Sequence, residues 1–128
     1  MSLNAYILAV SKSESDLEPK RIQQLELLSR YICDKISRRE AAALNFICTH
    51  NSRRSHFGQI WLQMAAAYYE IDLVKAYSGG TEETAFNSRA VGALQRAGFA
   101  VEVGIGANPR YEISRSLRNL HLVSFSKK

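Results

Sequence analysis

The segment "FICTHNSRRSHFGQIW" (46–61) sets a thiol and a guanidinium a fixed distance apart, Cys48 and Arg54, with Ser55 directly after the arginine. Three kinds of donor can converge on a tetrahedral oxyanion there. Successive N–H groups of a curled loop over 49–53, with the free N–H groups of a following helix, form a concave anion site. The planar fork of Arg54 can grip two oxygens at once. The same positive field should depress the pKa of Cys48, with the Ser55 hydroxyl as a further donor to the thiolate. One loop would then supply both anion binding, through Thr49, His50, Asn51, Ser52, Arg53 and Arg54, and an activated nucleophile.

Such a loop needs a strand before it and a helix after it. "AAALNFICT" is a short apolar run ending in β-favouring residues and reads as a buried parallel strand. Residues 55–70 carry Phe57, Ile60, Trp61, Met64 and Tyr68 on one helical stripe, with Ser55 suited to cap the start. A second strand is expected at 73–78, a loop at "GGTEET", a helix in "AFNSRAVGALQRAG" stopped by Gly98, and a third strand in "FAVEVG". The order βαβαβ with short links predicts a right-handed parallel sheet in a three-layer α/β sandwich. In such a sheet ligands bind beyond the carboxyl ends of the strands, where the loop 48–54 falls. The tail "NPRYEISRSLRNLHLVSFSKK" has room for two more short strands.

Upstream, "ESDLEPKRIQQLELLSRYICDKISRRE" places Ile22, Leu25, Leu28, Ile32 and Ile36 at helical spacing, with Pro19 tolerated in a first turn, and predicts an amphipathic helix over 17–37. Residues 1–40 thus read as an N-terminal helical segment and 41–128 as the α/β domain, together one compact unit. Cys33 reads as a small core residue on the apolar face of that helix, and His56 as a half-exposed helix residue. The stripe Trp61, Met64, Tyr68 and Tyr69 reads as packing, and Arg38 and Arg39 as a solvated turn.

Composition bounds the function. A chain of 128 residues with 46% hydrophobic and 23% charged residues fits one globular domain. The net charge of +5 favours anionic partners, but a single basic cluster without interleaved aromatics argues against nucleic acid. Two cysteines fifteen positions apart give neither a disulfide framework nor metal-ligand spacing. No metal or cofactor is expected, and a reducing, cytoplasmic setting is. "MSLNAYILAV" lacks a basic leader region, and no stretch reaches the length needed to cross a membrane.

"CTHNSRRS" resembles the Cys-x5-Arg-Ser signature of the low-molecular-weight protein tyrosine phosphatases and the related thioredoxin-coupled arsenate reductases, which share one fold. Asn51, Ser52, Arg54 and Ser55 match the family's pattern, and "AYSGGTEETAFNSRAVGALQRAGF" is similar to its second strand, turn and helix, with Thr81 and Asn87 in typical places. The resemblance covers 43–103. It implies a phosphatase-like three-layer sandwich, incomplete at the C-terminus, and hydrolysis of a phosphotyrosine protein or a small aryl phosphate. Cys48 would carry a cysteinyl-phosphate intermediate. Arg54 and the loop N–H groups would hold the transition state, Ser55 would ease the departure of Cys48, and Asn51 would brace the loop, an asparagine being able to tolerate a left-handed conformation.

Three departures bear on that implication. His50 stands where the family has glycine. The family's phosphatases use an aspartate, commonly before a proline, as general acid, whereas Asp16, Asp34 and Asp72 precede no proline. The chain is then either a fragment of a longer protein or impaired in catalysis, with Glu82 and Glu83 as substitute acids after the second strand. Finally, no cysteine follows Cys48, so the internal disulfide relay of the reductases has no downstream partner. Arsenate-reductase-like chemistry and binding of phosphate or arsenate without turnover stay open as alternatives.

Overall fold

In a computed structural model, residues 2–115 and 120–128 are described. Helix α1 (Leu3–Ser11), absent from the sequence reading, starts where the Ser2 hydroxyl accepts from the Ala5 N–H at 3.2 Å. Leu3 of α1 is buried in the main core with Ile60 and Leu94, and Tyr6 stacks on Trp61 at 5.2 Å. After a short 3-10 turn (Glu14–Asp16), α2 spans Pro19–Ser37 with the proline in its first turn. Its position agrees with the periodicity, but its expected packing does not. None of its residues is buried, Leu25, Leu27 and Tyr31 are exposed, and Cys33 is an exposed free thiol rather than a core residue.

The α/β part begins with β1 (Ala42–Cys48), continues through α3 (Arg54–Tyr68) and returns in β2 (Val74–Gly80). The two strands pair in parallel from Ala42 opposite Val74 to Cys48 opposite Gly80. Both carboxyl ends therefore finish at the same edge, where parallel α/β units present their loops. Helix α3 packs on both strands. Its Gln63 accepts from the Ala76 N–H at 3.1 Å and donates to the Val74 carbonyl at 3.0 Å, which satisfies backbone groups of β2 that no strand meets.

Helix α4 (Ser88–Ala97) is capped by Asn87, whose side chain accepts from the N–H groups of Arg89 and Ala90. It ends at Gly98, whose φ of 114° closes the C-terminus in the left-handed region. The expected parallel continuation stops here. Strand β3 (Ala100–Val103) does not join β1 and β2. It pairs antiparallel with β4 (Tyr111–Arg115), which pairs antiparallel with β5 (Leu120–Ser124) in a separate sheet. The turn chemistry between β3 and β4 explains this outcome: "GIGANPR" reverses the chain, and the Gly104 N–H closes on the Arg110 carbonyl at 2.7 Å. Two of the tail strands expected from sequence are thus β4 and β5, while residues 116–119 of that tail lie outside the described residues.

The protein is therefore α/β, with a two-stranded parallel sheet and a three-stranded antiparallel sheet. On one face of the parallel sheet Ile47 and Tyr77 are 66% and 51% exposed. The core lies on the other side, where Ile60, Met64, Phe86, Val91, Leu94, Phe99, Tyr111 and Ile113 meet. No helix among the described residues is long and apolar enough to cross a membrane.

Candidate anion site at the carboxyl edge of the parallel sheet

Cys48 is the last residue of β1, and the loop that follows curls back to α3 within five residues. The curl turns on Asn51, which sits at φ 44°, a left-handed conformation that asparagine adopts more readily than most residues. Its side chain is held at both polar ends. Nδ2 donates to Ser55 Oγ at 2.6 Å, Oδ1 accepts from the Lys127 N–H at 2.8 Å, and the residue is fully buried. Asn51 therefore braces the loop and offers the cavity only its backbone.

Ser55 is not the cap of α3. The cap position is Arg53, without a side-chain bond, and Ser55 lies inside the first turn, 2% exposed. From there its Oγ stands 3.0 Å from Cys48 Sγ. Burial pushes the Cys48 thiol up, but the Ser55 hydroxyl and the N–H groups of Ser55, Ser52 and Asn51 favour the thiolate more strongly, and the pKa falls to about 7. The sulfur thus lies where the loop donors converge.

Around it is a cavity of about 470 Å³ lined by Cys48, His50, Ser52, Arg53, Arg54 and Thr84. Of the residues expected at the site, the structure gathers these first five, with Ser55 and the Asn51 backbone behind them. Thr49 does not line the cavity. Its carbonyl is held from outside by the Thr81 hydroxyl at 3.1 Å and the Glu82 N–H at 3.0 Å. Glu82 lies at the rim, its carboxylate 3.4 Å from His50 Nε2, whereas Glu83 accepts from Asn108. A larger hollow of about 570 Å³, lined by Gln63, Asp72 and Leu120 among others, includes neither a cysteine nor an arginine.

Further supports come from parts of the chain that the sequence reading left unassigned. Thr84 Oγ1 donates to the His50 carbonyl at 2.8 Å, Ser126 Oγ donates to the same carbonyl at 3.1 Å, and the Thr84 N–H donates to Ser126 Oγ at 2.7 Å. The Ser52 hydroxyl donates to the Ala85 carbonyl, and the Asn87 N–H returns to the Ser52 carbonyl. Gly80 makes this crowding possible: a Cβ there would stand 2.7 Å from the Asn51 nitrogen and 2.9 Å from the Thr49 carbonyl oxygen. A polar stretch such as "TEET" or "SFSKK" carries no local signal for these long-range bonds.

His56 is the clearest correction at the site. It is fully buried rather than half-exposed, and stacks on Phe86 with ring centroids 3.8 Å apart. Nε2 donates to the Asn51 carbonyl at 2.8 Å, and Nδ1 bonds the hydroxyl of Ser124 on β5. Burial, with a smaller contribution from Lys127, lowers its pKa to about 4, so the ring is neutral at neutral pH. It pins the strained Asn51 peptide to the antiparallel sheet.

Among the described residues no cluster of three or more His, Cys, Asp or Glu forms a metal site. Chemically, the arrangement can hold a tetrahedral oxyanion over a polarised thiol. No family model, curated protein or solved structure matches the chain.

Proposed function

We propose that this protein is a phosphate-monoester hydrolase of the low-molecular-weight protein tyrosine phosphatase type, acting on a phosphotyrosine side chain or a small aryl phosphate. The observation that carries this reading is the convergence on Cys48 Sγ of the Ser55 hydroxyl at 3.0 Å and three loop N–H groups, in a cavity walled by Arg53 and Arg54. The Cys48 thiolate attacks phosphorus and the bond to the ester oxygen breaks, leaving a cysteinyl-phosphate. Water then attacks phosphorus, and the thiolate departs into the Ser55 hydrogen bond. Arg54 and the backbone donors hold the equatorial oxygens, whose charge grows in the transition state, where fixed donors contribute most. The family likeness rests on the β1–loop–α3–β2 unit. The three-layer sandwich belongs to the same proposal, as does a cytoplasmic setting that keeps the free Cys48 reduced.

An internal disulfide relay of the reductase kind is disfavoured by geometry. The second cysteine, Cys33, lies exposed on α2 and does not line the cavity of Cys48. The test is hydrolysis of para-nitrophenyl phosphate, with a burst of nitrophenol equal to the enzyme concentration. Cys48→Ser and Arg54→Ala should both abolish turnover. Hydrolysis that survives Cys48→Ser, or a wild-type chain without activity, overturns the reading.

A further inference from the structure

Phosphoryl transfer from an ester with a poor leaving group needs a proton donor, and the cavity wall limits the choice. Of Cys48, His50, Ser52, Arg53, Arg54 and Thr84, the thiolate is the nucleophile and the guanidiniums do not give up protons. The two hydroxyls are far too weak as acids. That leaves His50, an imidazole on the cavity wall whose side chain is 57% exposed and which can carry a transferable N–H proton. Its backbone is fixed by Thr84 and Ser126 on one carbonyl, so the imidazole is presented from a braced position. The Glu82 carboxylate, 3.4 Å from Nε2, is placed to orient the ring. The other charged groups sharing the cavity are Arg53, Arg54 and the Cys48 thiolate.

We infer that His50, supported by Glu82, is the general acid of the phosphoryl transfer proposed above, on which this assignment rests. As the thiolate forms the P–S bond and the P–O bond of the ester breaks, the electron pair passes to the ester oxygen and the imidazolium proton follows it, releasing a neutral phenol. The now neutral imidazole accepts a proton from the water that attacks the cysteinyl-phosphate. The P–S bond breaks, the thiolate is restored, and inorganic phosphate leaves. Electrons and protons balance without a further co-reactant. Glycine at this position could not perform either transfer.

The experiment compares wild type, His50→Gln and Glu82→Gln on three esters with progressively better leaving groups: phenyl, para-nitrophenyl and 2,4-dinitrophenyl phosphate. A positioned acid contributes roughly 10²–10⁴-fold, and least where the leaving group needs no proton. His50→Gln should therefore lose about 10²-fold or more in kcat/KM on phenyl phosphate, a constant that reports formation of the cysteinyl-phosphate, with the loss shrinking along the series. Glu82→Gln should show the same dependence on leaving group with smaller losses. A purely structural role for His50 would lower all three rates alike, and equal losses across the series overturn the assignment while the hydrolase reading stands. A wild-type chain inactive on all three esters overturns both.

Discussion

Lowering the pH should loosen the anion loop through His56, and the size of the effect follows from the structure. The ring is buried, with Nε2 committed to the Asn51 carbonyl and Nδ1 to Ser124. Its pKa falls from 6.5 to about 4 on folding. The unfolded chain therefore binds a proton at a pH where the folded chain does not, and stability drops as pH falls below the unfolded value. The stability that His56 contributes is complete above about pH 6.5 and declines until about pH 4, below which both states are protonated. Between pH 7 and 5 the linkage amounts to about 2 kcal/mol, a large share of the 5–15 kcal/mol typical of a domain. The assay is urea unfolding at several pH values for wild type and His56→Gln. Both chains carry Cys48→Ser, which removes the thiol that titrates at about 7 from the comparison. The variant should be less stable at pH 7, because the Asn51 carbonyl loses or weakens its partner and the Ser124 hydroxyl is left with Gln59. The gap between the chains should narrow by about 2 kcal/mol at pH 5. A gap that stays constant across this range would refute the claim that a neutral, buried His56 pins the loop.

Two further outcomes probe the loop itself. Alkylation of Cys48 by iodoacetamide should follow a thiolate titration centred at about 7, and Ser55→Ala, which removes the largest of the stabilising hydrogen bonds, should move that midpoint upward; an unmoved midpoint excludes Ser55 as a donor to the sulfur. Gly80→Ala would put a Cβ within 2.7 Å of the Asn51 nitrogen and 2.9 Å of the Thr49 carbonyl. Relieving that overlap should cost about 1–3 kcal/mol in thermal or urea unfolding and weaken phosphate protection of Cys48 from alkylation, and an unchanged stability would show that the loop does not pack as described.

The legible part of the fold was the part written in local patterns. Alternation and apolar runs located β1 and β2, and 3.6-residue periodicity located α2, α3 and α4, with boundaries shifted by at most three residues. Partners were less legible. "FAVEVG" has the same alternation whether its neighbour is parallel or antiparallel, and only the Gly- and Pro-bearing segment after it distinguishes the two. The apolar stripe of α2 announced a buried face, yet amphipathicity states that a face should be covered without naming what covers it. Helix α1 could have been found from Ser2 followed by Leu3, Ile7 and Val10 at helical spacing. At the site, Cys48, Arg54 and Ser55 were visible because their spacing is short. Burial of His56 was not, because Ser124, which meets it, lies 68 residues away.

The loop is held by segments that are distant in sequence, and this shapes how its chemistry depends on the rest of the protein. Residues 81–87 tie down the carbonyls of Cys48, Thr49, His50 and Ser52, Lys127 holds the Asn51 side chain, and His56 holds its carbonyl. With these carbonyls engaged from outside, the N–H groups of Asn51, Ser52 and Ser55 are left facing the sulfur. The donors are therefore aimed before an anion arrives, and binding one requires little reorganisation. The left-handed Asn51 is an unfavourable conformation that the surrounding bonds offset. Any change that releases one of those distant ties should act on the thiolate and the anion together, because the same backbone curl serves both.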